Sequence, residues 1–181
     1  GQEAKAPTQY EGHILVPYPL ESALSGVQKS LKPEERLWYR RTFTVTPSEA
    51  RPRTLLHFDA VDYEATVYLN GQALGTHRGG YQRFTLEITP ALRPGENELV
   101  VKVFDPTDRG PNPHGKQASR PSFIAYTPSS GIWQTVWLET VPKHHIRSFE
   151  VTPMPDNKQI KVTLNLSSPG LVRIRVLDGE T

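Results

Sequence analysis

The sequence contains no cysteine. That removes disulfides, thiolate nucleophiles and cysteine-based metal sites together. No apolar run approaches the roughly 20 residues of a membrane-spanning helix, and no run of basic residues is longer than two. Charge is nearly balanced, with 21 basic and 19 acidic side chains for a net +2. Neither a membrane nor a nucleic-acid partner is therefore expected. Signatures of self-sufficient catalysis are missing as well: there is no G-x-S-x-G elbow, no glycine-rich phosphate loop and no H-E-x-x-H. The six histidines lack ligand spacing, and the adjacent His144 and His145 would leave opposite faces of a strand. No metal and no cofactor is expected.

What is abundant is proline and glycine, at 17 and 13 of 181 residues. Proline breaks helices and cannot donate to a sheet ladder, so long helices are excluded over most of the chain. At 36% hydrophobic and 22% charged, the composition is that of a globular protein rather than a disordered one.

Residues 1–36 show no sustained period and read as an extended lead-in packed over a sandwich. From Trp38 onward, short alternating runs are separated by turn signals. Residues 38–45 place Tyr39, Arg41, Phe43 and Val45 on one face. Residues 55–58 form a second run, and Ala65, Val67 and Leu69 alternate with polar neighbours. Asn70-Gly71 supplies the two positive-φ positions of a tight hairpin turn, predicting strands 65–69 and 72–77. Phe84, Leu86 and Ile88 form the next run, a turn is read at 94–97, and Leu99, Val101 and Val103 form another. Residues 132–140 read as one strand that is apolar on both faces. Beyond a boundary at 142–145, three strands are predicted, over 147–151, 160–166 and 171–177. The pattern is all-β: an antiparallel jelly-roll β-sandwich over 37–142, followed over 143–181 by a truncated immunoglobulin-like sandwich, since a complete one needs about seven strands. Bare strand edges seek partners, so the C-terminal strands are expected either to be mobile or to self-associate with another copy of the chain.

Two places offer chemistry. Asp59 and Asp62 lie where one strand turns into the next, where an aspartate ordinarily caps the turn. The long interruption at 105–131 holds five prolines and a cluster of hydroxyl-binding groups: Thr107, Asp108, Arg109, Asn112, Lys116 and Gln117. Loops of this length inside compact domains are usually functional or disordered. The same residues also admit a purely structural use, with Asp108 capping a turn and Lys116 solvated. Trp38, Trp133, Trp137, Tyr63, Tyr81 and Tyr126 either stack on sugar rings or fill the core.

These runs occur in a recognisable order: WYRRTF at 38–43, AVDYEATVYLNG at 60–71, GTHRGGYQRF at 75–84, NELVVKV at 97–103 and SGIWQTVWLE at 130–139, with PYPLES at 17–22 ahead of them. The order resembles the N-terminal sugar-binding domain of glycoside hydrolase family 2, which includes β-galactosidases, β-glucuronidases and β-mannosidases. The resemblance implies a jelly roll followed by an immunoglobulin-like domain and a TIM barrel whose glutamates cleave the glycosidic bond. It implies a carbohydrate substrate and a catalytic barrel as partners. It also implies that a jelly-roll loop reaches the barrel's active site, which carries substrate binding over to Asp108 and, through the same loop, to Asn112, Lys116 and Gln117. No catalytic residue is assigned to this chain, which is expected to be inert alone. A free-standing carbohydrate-binding module and a purely structural domain bracing a barrel are the rival readings. The start, Gly1-Gln2-Glu3-Ala4, is read either as a mature end left by cleavage or as a remnant of expression. A periplasmic or secreted bacterial setting is favoured.

Overall fold

The computed structural model describes residues 6–46 and 53–177, so Gly1 to Ala4 lie outside the described residues. Among those described, every regular element other than three short 3-10 turns is a β-strand. The chain divides into two compact units, Gly1–Thr140 and Val141–Thr181.

The first unit is a two-layer sandwich. One sheet is formed by β1 (Leu37–Val45), β4 (Glu64–Leu69), β5 (Gln72–Arg78) and β7 (Gly95–Phe104), in the spatial order β1-β7-β4-β5. The other contains β2 (Arg53–Phe58), β6 (Phe84–Glu87) and β9 (Val136–Val141), in the order β6-β2-β9. A short pair, β3 (Val61–Asp62) with β8 (Gly131–Ile132), joins Val61 to Ile132 and Asp62 to Gly131. Every strand pair with an established register is antiparallel.

The alternation read from sequence decides which side chains meet. Tyr39 lies opposite Val101, and Val101 opposite Val67, so one row crosses three strands on the inner face. That row joins Leu56, Phe58, Val61, Ile88 and Ile132 in a single buried cluster. Burying such side chains contributes roughly 1.5–3 kcal/mol each. Phe58 stacks on Phe84 with ring centroids 4.8 Å apart. The lead-in packs Ile14 and Val16 against the same cluster and is bonded through Leu20 N to Ser130 O at 3.2 Å.

The hairpin turn has Asn70 at φ 52° and Gly71 at φ 81°, as a type I′ turn requires. The Asn70 side chain then holds two further turns. Its Nδ2 donates to Ala91 O and to Asn97 Oδ1, both at 2.8 Å. Asn97 is fully buried yet satisfied, since its Nδ2 donates to Arg93 O at 2.7 Å and to Gly95 O at 2.9 Å.

Four sequence expectations are corrected. The run 132–140 is two strands, not one. Trp133 N donates to Ala60 O and Asp59 N donates to Thr135 O, so the chain steps from β8 to β9 where its neighbour steps from β2 to β3. Within that run Ile132 is buried and Leu138 is exposed. The turn read at 94–97 is shorter, because β7 already begins at Gly95. Asp62 is not a turn cap but a buried member of β3. Finally, 171–177 forms no strand. A strand needs a partner's ladder, and the second unit offers this segment none among the described residues.

That second unit is a hairpin, β10 (Ile146–Met154) with β11 (Gln159–Leu166). Phe149 pairs with Leu164, Val151 with Val162, and Pro153 with Ile160. These six share one apolar face.

Candidate functional site

The loop between β7 and β8 folds back over the β3–β8 pair and brings together residues far apart in sequence. Asp105, at the end of β7, is buried and fully committed. Its Oδ1 accepts from Thr107 N at 2.8 Å and its Oδ2 from Ser130 Oγ at 2.7 Å. Glu21, from the lead-in, accepts from Ser130 N at 2.9 Å.

Asp62 differs. It is 4% exposed. Its Oδ2 accepts from Gln117 Nε2 at 3.4 Å, while its Oδ1 is buried without a hydrogen-bond partner. Burial first, then the neighbouring Asp105 and Glu21, push its carboxyl up to about 6, against a smaller opposing pull from Gln117. Glu21 is also raised, chiefly by burial. A buried acceptor left open calls for an explanation, and a strongly shifted carboxyl beside a cleft is a functional-site signal.

The carboxylate can sit there because position 80 is glycine. A Cβ on Gly80 would lie 2.6 Å from Asp62 Oδ1 and 2.7 Å from Cγ. The Gly80 backbone also lines a pocket of about 220 Å³ formed with Tyr63, Gly79, Tyr81, Gln82 and Pro113. Trp133 fixes this wall, since its Nε1 donates to Gly80 O at 2.8 Å and its ring meets Tyr81 edge-on at 5.8 Å. Tyr81 is largely exposed. The pocket thus offers tyrosine rings, one amide side chain and a carboxylate behind its wall. Apolar faces with few placed polar groups are how small polar ligands are held.

The residues picked from sequence are distributed as follows. Gln117 reaches the cluster, bridging Asp62 to Ser129 N at 2.6 Å. Asp108 faces the loop itself, accepting from Ser119 N at 3.1 Å and from Ser119 Oγ at 2.5 Å, and these bonds hold its carboxyl below the ordinary value. Asn112 is buried, with Nδ2 donating to Thr107 O at 3.1 Å. Lys116 is exposed. Gly80 and Glu21 were not picked as site residues, and Asp62 was read with Asp59 only as a turn cap. Their signals were local and unspecific: an acid three residues from Asp59 where strands turn, and a Gly79-Gly80 pair that indicates a bend or a close backbone approach. Among the described residues no group of His, Cys, Asp or Glu is arranged to hold a metal ion.

Comparison with known proteins decides the family. The family model described as the glycosyl hydrolase 2 galactose-binding domain-like family matches residues 25–152. The chain belongs to this family. A β-galactosidase of Bacteroides ovatus is 31% identical over 135 residues, covering 72% of this chain and 14% of the relative. A β-glucuronidase of Formosa agariphila is 30% identical over 123 residues, covering 67% and 12%. The solved β-glucuronidase of an uncultured Clostridium species superimposes with a TM-score of 0.65 at 26% identity, covering 84% of this chain and 27% of that one. This family 2 domain therefore spans only 12–19% of the length of the first curated relatives it matches. Its fold is all-β and antiparallel, as the sequence indicated.

Proposed function

We propose that this domain is the substrate-facing, sugar-binding part of a larger β-glycoside hydrolase, and that cleavage is carried out by carboxylates on a catalytic barrel elsewhere in the same polypeptide. The observation that carries the reading is the pocket backed by Asp62. Tyrosine faces and Gln82 suit a pyranose, and the buried Asp62 carboxylate packs against Gly80 of the pocket wall. Asp62 acts as a positioning residue behind Gly80 rather than as an acid or base. Glycoside hydrolysis requires two carboxylates across one ring, about 5–9.5 Å apart, and the nearest second carboxylate, Asp105, has both oxygens occupied. The chain alone is therefore inert.

Of the loop residues, Gln117 supports this reading best, because it ties the loop to Asp62. The Asp108–Ser119 bonds favour bracing for that part of the loop. The test is Asp62→Asn. At pH 7 it removes a buried charge, so the melting temperature should hold or rise, while kcat/KM of the parent glycosidase falls about tenfold, equivalent to roughly 1.4 kcal/mol. Unchanged kinetics would overturn the reading, as would hydrolysis of nitrophenyl glycosides by the isolated chain above background.

A further inference from the structure

The outer half of the loop between β7 and β8 ends in a tip that no part of the site uses. Its stem is firm. Tyr126 N donates to Lys116 O at 2.8 Å, Ala118 N to Tyr126 O at 3.1 Å, and Ala125 N to Ser122 O at 3.0 Å across the tip. Asp108 clamps Ser119 beside it. On this stem Phe123 is 101% exposed, Ile124 58% and Tyr126 59%. Phe123 also holds φ at 53°, a left-handed conformation that a bulky side chain adopts only under constraint. Strain of this kind gathers at ligand clamps and active sites, and clustered exposed apolar side chains mark an interaction surface.

The charges around the tip have one sign. Between 105 and 131 the basic residues are Arg109, Lys116 and Arg120, all exposed, and the acids are Asp105 and Asp108. Asp105 is buried and Asp108 is spent on Ser119 and on Arg109, 3.8 Å away. Lys116 and Arg120 have no ion-pair partner among the described residues. A surface of this sign raises the local concentration of anions, and aromatic rings beside it offer faces on which sugar rings stack.

We propose that this tip is a docking point for uronate-bearing saccharides, with Phe123 and Tyr126 stacking on sugar rings while Lys116 and Arg120 take the carboxylates. The inference rests on the sugar-binding reading above and deepens it. The tip is tied to the site by hydrogen bonds, since Gln117 bonds Asp62 with its side chain while its backbone neighbours, Lys116 and Ala118, carry Tyr126.

The experiment is calorimetric titration of the full chain with oligogalacturonate and with a neutral galactan oligomer of equal length, in 50 and 300 mM NaCl. The uronate is expected to bind, more weakly at the higher salt, and the neutral oligomer at least tenfold more weakly. Phe123→Ala and Arg120→Gln should each lower uronate affinity about tenfold with the melting temperature unchanged, because both side chains are exposed. Equal affinity for the neutral oligomer, no uronate binding, or uronate binding untouched by both substitutions would each overturn the proposal. Uronate binding untouched by Phe123→Ala, with a lowered melting temperature in the parent enzyme, would assign Phe123 to contact with a protein neighbour and overturn it too. Failure here is distinct from failure of the sugar-binding reading when the Asp62→Asn kinetics of the parent glycosidase are measured on a nitrophenyl monosaccharide, which carries no further sugars to reach the tip.

Discussion

The two units carry the same alternating pattern and treat it in opposite ways. In β7, Leu99, Val101 and Val103 are all buried, and the residues facing them across the sandwich include fully buried Phe58 and Ile88. In β10, Phe149 and Val151 alternate just as regularly, lie opposite Leu164 and Val162, and remain 71% and 51% exposed. Periodicity therefore determines which side chains share a face, whereas burial requires a second layer across from that face. An isolated two-stranded hairpin is marginal in water for this reason. The family 2 sandwich has its second layer, and the described hairpin does not.

The sharpest way to break this contrast is to truncate one aromatic in each unit. Phe58→Ala should cost about 3–5 kcal/mol, because it opens a cavity in a closed core, and the loss is read from denaturant midpoints. Gly80→Ala comes next. Its Cβ must displace the Asp62 carboxylate or the backbone, at a cost of about 1–3 kcal/mol, and Gln117 should lose its bond in the same step.

The third effect is pH dependence confined to the sandwich. Asp62 has a folded-state pKa of about 6 against 3.8 for an unperturbed carboxyl. The folded form thus holds its proton more tightly than the unfolded chain. The stabilisation is fully present below about pH 4 and is lost as pH rises through 6. After discounting for solvent screening, about 1–2 kcal/mol should separate pH 4.5 from pH 7, with Glu21 adding in the same direction. Asp62→Asn should flatten that part of the profile, and an unchanged profile would place the dependence elsewhere. The smallest effect belongs to Phe149→Ala in the hairpin, within about 0.5 kcal/mol. Amide exchange should agree, fast over 146–166 and slow over β4 and β7. A large loss from Phe149→Ala would mean that its face is covered in solution.

Much of the first unit was legible because its strands follow one local rule. Leu99, Val101 and Val103 declare themselves by alternation, and Asn70-Gly71 by turn chemistry. The break at 133–135 was hidden, because it is imposed by Ala60 and Asp59 more than 70 positions earlier. The strand read at 171–177 failed for the converse reason, since Val172, Ile174 and Val176 alternate correctly but find no ladder. The loop was recognisable by its prolines and polar groups, and Gln117 was picked out on that basis. Asp62 was singled out only as a turn acid beside Asp59, because its weight depends on Gly80, Asp105, Gln117 and Glu21 converging from four separate segments, and no local pattern records that convergence.

The claim that matters most is that the pocket backed by Asp62 meets the sugar. Titrating the isotope-labelled chain with methyl β-glucuronide and methyl β-galactoside, and following amide chemical shifts, tests it directly. The account predicts that the shifts gather at 62–63, 79–82 and 117, and that 146–166 is silent. Shifts confined to the outer faces of the sheets, or the same pocket shifts persisting in Asp62→Asn with undiminished affinity, would contradict it.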